Sequence, residues 1–407
     1  MELNKFIKLK NILLKKFNKI DKQICKRKRC ITFKDIIYCN FYKTANNLSY
    51  DVTNSHLKER NILNISKTAI INKLNTIDLS YFDSVNDLVL EHIYENNKPR
   101  RIAIDGSKIN LLRSLGKDNN GYKLSKNKSY TTALISSLYD IDNKIPINYA
   151  IFNHFNERKA LISQLKYFRP GDILVVDRGY YDEKLLKILI DNGLYVVFRM
   201  KKNLNLIKKL DKTNNNDIIV KHYINDNKYM SMRLLKYKIN KETYYLYTNL
   251  LDNKKYNFEY LQLLYKNRWG VETDFRYSKY YLMLNNIRLK SINMVKQTIC
   301  IHNLIQLLEG YLEIIINKSK NDNKNKINKK NSIYMFTNNI LYLLFYKKST
   351  KKIKTKILKL MNIIKETIVC IQNNRHYSRI RKFPASKWCL NAIKFINRRK
   401  FINKKRK

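Results

Sequence analysis

Three carboxylates carry the most specific chemical signal in this sequence: Asp105, Asp177 and Glu272. Asp105 closes a short apolar run from Arg101 and is followed by Gly106; Asp177 closes the continuous apolar run from Asp172. The ends of strands in α/β sheets are where loops leave such groups exposed on a rigid support. Taken singly, an Asp beside a Gly is as readily a turn former as a catalyst. The third acid adds a spacing. Residues 257–284 are patterned as one long helix, and at about 100° per residue Tyr265, Arg268, Glu272 and Lys279 share a stripe roughly 60° wide. Leu264, Val271, Phe275 and Leu282 cluster beside that stripe, so the four polar side chains lie at the edge of a buried face, while Asp274 points the opposite way.

Cutting or transferring a phosphodiester needs an activated nucleophile and a stabilised leaving oxygen, and two divalent ions about 3.5 to 4 Å apart supply both. Carboxylates from three separate elements are the hard oxygen ligands that Mg²⁺ takes. Tyr265, Arg268 and Lys279, on the face of Glu272, have the chemistry to hold neighbouring phosphates. The plain alternative is a solvated helix face carrying an Arg268–Glu272 ion pair at i,i+4 spacing.

The elements that must position these residues follow from pattern. Residues 1–95 read as helical and basic, with Ser66 placed to cap a helix from Lys67 to Leu74; a DNA-binding helix-turn-helix and an ordinary helical bundle both fit. From Arg100 the period changes to strands, with apolar runs at 101–105, 130–139, 147–152, 172–177 and 195–198 separated by helices at 157–165 and 182–192. That alternation predicts an α/β core with a mixed sheet. Residues 200–256 look like a β-rich insertion with strands near 218–223, 229–236 and 243–249. A second long helix is expected at 294–316, then a Lys/Asn low-complexity linker lacking order at 318–331, an apolar helix at 332–346, and a basic end including Arg375 to Lys382 and Lys404 to Lys407.

Composition points to a polyanionic partner. The chain has 407 residues, with 82 Lys and Arg against 32 Asp and Glu, a formal charge of +50. Nucleic acid is the first candidate for such a charge, although abundant Lys, Asn, Ile and Tyr are also what an A/T-rich coding sequence yields. The six cysteines are irregularly spaced, which predicts free thiols; Cys25, Cys30, Cys39 and His56 lack the tight pair of a zinc site. Met1 to Asn11 has no signal-peptide pattern, and the apolar stretch Ile299 to Ile316 is broken by His302, Asn303, Gln306 and Glu309, so no transmembrane helix is expected.

Asp105 in Ile-Ala-Ile-Asp-Gly-Ser, Asp177 in Val-Val-Asp-Arg-Gly-Tyr, and Tyr265-x₂-Arg268-x₃-Glu272-x₆-Lys279 together resemble the DDE transposases of bacterial insertion sequences. The spacing is similar to that of the branch with the Tyr-Arg-Glu-Lys signature, the insertion-sequence-four family. Trp269, Asn156-Glu157-Arg158 and Tyr244 to Leu250 also look like family features, and the resemblance covers roughly residues 100 to 315.

The resemblance implies a ribonuclease H-like catalytic domain (96–199 and 257–317) with the β-rich insertion (200–256), flanked by a helical DNA-binding region (1–95), the linker (318–331) and a basic helical C-terminal region (332–407). It implies that Asp105, Asp177 and Glu272 bind two Mg²⁺ or Mn²⁺ ions, that water cuts transposon ends, and that the freed hydroxyl attacks target DNA. Tyr265, Arg268 and Lys279 would contact phosphates. Arg178 and Trp269 adjoin them and are candidates to touch DNA, with packing the competing role for Trp269. A homodimer on double-stranded DNA is implied, in the cytoplasm or nucleoid of a bacterium, or in the nucleus or viral factory if a eukaryote or its virus encodes the chain. Two alternatives stay open: a domesticated or inactive DNA-binding derivative, and a structure-selective nuclease that does not transpose.

Overall fold

A computed structural model describes residues 2–25, 31–94, 98–116, 121–125, 129–213, 215–225, 228–239, 242–318, 325–345 and 350–370. The N-terminal region is helical as its pattern predicts: α1 (Glu2–Ile24), α2 (Phe33–Asn46), α3 (Tyr50–Glu59), α4 (Lys67–Thr76) and α5 (Leu79–Ile93). Each start from α2 onward is set by a side chain that accepts an otherwise orphaned backbone N–H. Thr32 and Asp35 form a reciprocal capping box, Ser49 and Asp78 cap α3 and α5, and Ser66 caps α4 through the N–H of Ala69. The inner faces, including Phe33, Phe41, Leu74 and Phe82, are buried.

The central sheet is built from β1 (Arg101–Leu111), β2 (Lys123–Leu124), β3 (Thr131–Asp140), β4 (Ile145–Phe152), then α6 (Glu157–Ser163), β5 (Ile173–Val176), α7 (Glu183–Asp191) and β6 (Tyr195–Arg199). After α8 (Asn205–Asp211) come β7 (Asp217–Asn225), β8 (Lys228–Ile239) and β9 (Glu242–Thr248). The order is β2-β3-β1-β5-β6-β9-β8-β7, with β4 also on β3. β1 is antiparallel to β3 and parallel to β5, β5 is parallel to β6, and β9 returns antiparallel to β6. The expected mixed α/β core is therefore present. One sequence expectation needs correction. β1 does not end at Asp105 but runs six residues further, because β3 continues to pair with it as far as Leu111 after β5 has stopped. The three strands of 200–256 extend the central sheet through the β6–β9 ladder.

Helices α9 (Phe258–Asn267), α10 (Gly270–Tyr280), α11 (Ile292–Lys318), α12 (Lys329–Phe345) and α13 (Thr350–Glu366) complete this unit. α11 has the length and apolar composition of a membrane span, but 89% of that window is buried inside the protein, so its apolar surface is used by packing. Two of its polar side chains donate into that packing: Gln297 to the carbonyls of Leu74 and Ile77, and Asn303 to that of Ile147. β10 (Asn325–Ile327) and β11 (Ile368–Cys370) pair in a short two-stranded ladder. The expected linker thus holds ordered chain from residue 325; residues 319–324 and the basic end from 371 onward lie outside the described residues. Among the described residues Cys25, Cys39, Cys300 and Cys370 are free thiols, as expected. Cys30 and Cys389 lie outside the described residues.

Lys329 explains why that ordered chain is anchored. Its ammonium bonds to Glu309, 1% exposed, and sits 2.9 Å from Glu313, while Ser332 donates to Glu309 at 2.5 Å. Burial and Glu313 push the Glu309 carboxyl up, against the pull of Lys329. Removing the cation leaves two acids buried, so Lys329→Met is expected to cost about 3 kcal/mol in urea unfolding at neutral pH. A carboxyl raised in the folded state holds its proton longer than in the unfolded chain, so the loss should shrink as pH falls toward the ordinary glutamate value of 4.5. A loss that is equal at both pH values would dissociate it from the buried charge.

Candidate active site

Strand register brings the two aspartates together. β1 and β5 are parallel with Ala103 opposite Val175, so two residues further along each strand Asp105 and Asp177 stand level at the edge where β5 ends. Neighbouring strands are about 4.8 Å apart, which makes the two carboxylates neighbours. The same rule applied to β5 and β6, where Val176 faces Phe198, sets Arg199 level with Asp177. Its guanidinium lies 3.7 Å from Asp177 and stacks over Tyr244, 4.5 Å from the ring centre.

Glu272 arrives from the helical side. The single helix expected over 257–284 is two, because backbone bonds tighten to i→i+3 at the joint: Arg268 to Tyr265, Trp269 to Lys266 and Val271 to Arg268. Gly270 lies at this joint and lets α10 approach β3 closely; a Cβ there would stand 2.6 Å from Cε1 of Tyr139. The stripe survives the tightening, since Arg268 still reaches Glu272 at 3.1 Å. At the far end of α10, Lys279 donates to Ser107 Oγ at 2.5 Å and to the Lys108 carbonyl at 3.1 Å, tying the helix across β1. Asp274 faces the other way, where it accepts from Tyr149 in a buried network with Ser278 and Gln306.

Arg268 is the charge around which the acids gather. It is 2% exposed, and burial would lower its pKa, but Tyr265, Asp177, Glu272 and Asp105 together hold it fully cationic. Burial pushes the Asp105 carboxyl up to about 7, opposed by Arg268 and the Gly106 N–H and reinforced by Glu272 and Glu157. Tyr265, also 2% exposed, donates to Asp177 at 3.2 Å. Each acid is thus oriented by its own donor or cation. Among the described residues no group of three His, Cys, Asp or Glu side chains is disposed as it stands to hold a metal ion. The donor chemistry nonetheless fits one: hard carboxylate oxygens from three elements, surrounding a positive charge, with Tyr180 Oη and Arg268 Nε buried and unpartnered among them.

The family model for a transposase DDE domain matches residues 96–308, more than half of the chain, and takes in all three acids. The chain belongs to the DDE transposase family. Among solved structures it is similar to the cryo-EM structure of a piggyBac transposase synaptic complex with hairpin DNA, at 14% identity and a TM-score of 0.48, covering 86% of this chain and 85% of that one. A likeness of that size carries no argument about chemistry. No curated protein sequence matches the chain.

In this DDE transposase family member, the residues singled out by sequence fall into two groups. Tyr265, Asp177, Glu272 and Asp105 each interact with Arg268, and Lys279, half-buried, feels Asp105. Arg178 is exposed and Trp269 is 49% exposed, with the Arg268 guanidinium 5.6 Å from its ring centre. Two further partners join them, of which sequence reasoning missed Arg199 and met Glu157 only as part of the Asn156-Glu157-Arg158 family feature. Arg199 was visible only as the basic end of an apolar run, at the same sheet edge as both aspartates. Glu157, in the first turn of α6, lies so close to the β1 backbone that a Cβ on Gly106 would be 2.6 Å from its Oε1. Gly270→Ala is expected to push α10 off β3 and cost about 1 to 3 kcal/mol in denaturant titration. Pairing it with Tyr139→Leu should recover most of that loss; no recovery would mean the close approach is not what Gly270 serves.

Proposed function

We propose that this protein is a cut-and-paste DNA transposase in which Asp105, Asp177 and Glu272 form the catalytic centre. The observation that carries the reading is the meeting of these acids, contributed by two parallel strands and a helix more than 90 residues further on, around one buried guanidinium. The proposal includes the finer resemblance to the branch with the Tyr-Arg-Glu-Lys signature, a ribonuclease H-like core, and a homodimer on double-stranded DNA. A pair of Mg²⁺ or Mn²⁺ ions held by the three acids would supply an activated water and neutralise the leaving oxygen.

The chain's own residues do the rest. Tyr265 and Arg199 hold Asp177 at the end of β5, and Arg268 holds Glu272 toward the aspartates. Lys279 locks α10 onto β1, so Glu272 cannot slide along the sheet edge. Burial of Tyr265 and Arg268 makes orientation of the acids the role their placement supports, leaving exposed Arg178, half-exposed Trp269 and the surface lysines as the groups that meet phosphate directly.

The test is incubation of the purified protein with DNA carrying the flanking repeats of its own gene, with and without Mg²⁺, followed by mapping of cut strands. Wild type should cut at the repeat ends only with the metal. Asp105→Ala, Asp177→Ala and Glu272→Gln should each lower cleavage by about a thousandfold or more while DNA binding stays nearly unchanged. Full cleavage by any of the three would remove that residue from the centre, and binding without cleavage by wild type would favour a DNA-binding derivative.

A further inference from the structure

One carboxylate near the three acids has no cation or donor of its own. Glu157 stands in the first turn of α6, a short helix held down by buried Ala160 and Leu161 and by Gln164, which donates to Ser136 Oγ at 2.8 Å. Its neighbour Arg158 donates to the Gly179 carbonyl and to Asp182, each at 3.1 Å, and so ties this turn to the loop that follows Asp177. Glu157 is half-buried, yet no described residue gives it a hydrogen bond or an ion pair. Burial and the like charge of Asp177 push its carboxyl up. An unpaired acid beside another acid is unfavourable, and such placements gather where a ligand or a reaction uses them.

Strand geometry shows how Glu157 reaches the site. β5 pairs with β1 only as far as Ala103, so from Asp105 onward that edge of β1 has no strand beside it. Successive side chains on a strand face opposite layers. Ser107 faces α10, where Lys279 meets its hydroxyl, and Asp105 shares that face, so Gly106 faces the other layer, where α6 lies. Glu157 fills the room a side chain at 106 would take: a Cβ there would stand 2.6 Å from its Oε1 and 3.0 Å from its Cγ and Cδ. The Asp105–Gly106 edge is thus approached by Glu272 from one layer and by Glu157 from the other. Tyr180 lies between them. Its hydroxyl is buried, feels Glu157, Asp105 and Asp177, and donates to none of them. A buried phenol with three acceptors nearby and a bond to none fits carboxylates kept apart by their own repulsion, which a cation among them would reverse.

We propose that Glu157 is a fourth carboxylate of the metal centre, joining Asp105, Asp177 and Glu272 in holding the divalent ions from the α6 side of β1. The inference rests on the reading of those three acids as metal ligands. A carboxylate supplies the hard oxygen that such ions take, and a bound ion turns the unfavourable contact between Glu157 and Asp177 into a shared attraction. The plain alternative is an acid that complements the N-terminal end of its helix. That end is already served, since Asn156 caps α6 by accepting from the Lys159 N–H at 3.1 Å, and the helix is only seven residues long.

Titration of the full-length, DNA-free protein with Mn²⁺ tests this, followed by the EPR signal of the free ion and by the Mn²⁺-induced rise in Tm. Glu157→Gln keeps the shape of the side chain over Gly106 and removes its charge; it should weaken Mn²⁺ binding about tenfold and shrink the rise in Tm. Gly106→Ala keeps the charge but displaces the carboxyl, and should weaken binding by itself while adding nothing to Glu157→Gln. Glu259→Gln, which removes an exposed first-turn acid of α9, should bind Mn²⁺ as wild type does. A purely structural acid would instead lower the metal-free Tm and leave the affinity unchanged. Where Asp177→Ala weakens binding, wild-type affinity in Glu157→Gln or Gly106→Ala, losses that add between those two, or an equal loss in Glu259→Gln would overturn the role of Glu157 alone. Absence of Mn²⁺ binding by wild type, or binding undiminished in Asp177→Ala, would overturn the metal centre and the fourth acid with it.

Discussion

Bringing half-buried carboxylates together is unfavourable unless something positive stands among them, and here the buried Arg268 does so. Buried at a helix joint, it interacts with Asp105, Asp177 and Glu272 at once. The cost of desolvating a guanidinium is met only because all three acids surround it. The sheet register, the α9–α10 joint and the anchoring of Lys279 on β1 are consistent with that one arrangement.

The arrangement also explains the division of labour between α10 and its neighbours. One face of α10 carries Glu272 and Lys279 to the β1 edge; the opposite face sends Asp274 and Ser278 into a hydrogen-bonded network with Tyr149 and Gln306. A helix clamped on both faces has little freedom to rotate, and a half-turn about its axis would exchange the partly exposed Glu272 for the buried Asp274. Gly270 permits the clamp by removing the side chain that would otherwise strike Tyr139.

The N-terminal helices and α11 serve a different purpose. α11 is nearly all buried and carries its polar groups inward, where Asn86 and the helix ends of 74–77 answer them. The Glu309–Lys329 cluster then binds α12 to the same helix. The sheet and the helices that flank it therefore share one core.

Local spacing was enough for the Ser66 cap, the mixed α/β class and the helical flanks, because these depend on contacts between residues two to four apart in the chain. The length of β1, the joint at Gly270 and the place of the 200–256 strands in the sheet were not legible, since each is set by a partner far away: β3, Tyr139 and β6. The same holds for Arg199, which joins the acids through strand register, and for the close approach of Glu157 to the β1 backbone. Burial is the deepest of these differences. An Arg268–Glu272 pair reads from sequence as an exposed helix pair or as a phosphate clamp; only the fold removes Arg268 from water while leaving Glu272 34% exposed, and desolvation is a property of everything packed around a residue rather than of its neighbours in the chain.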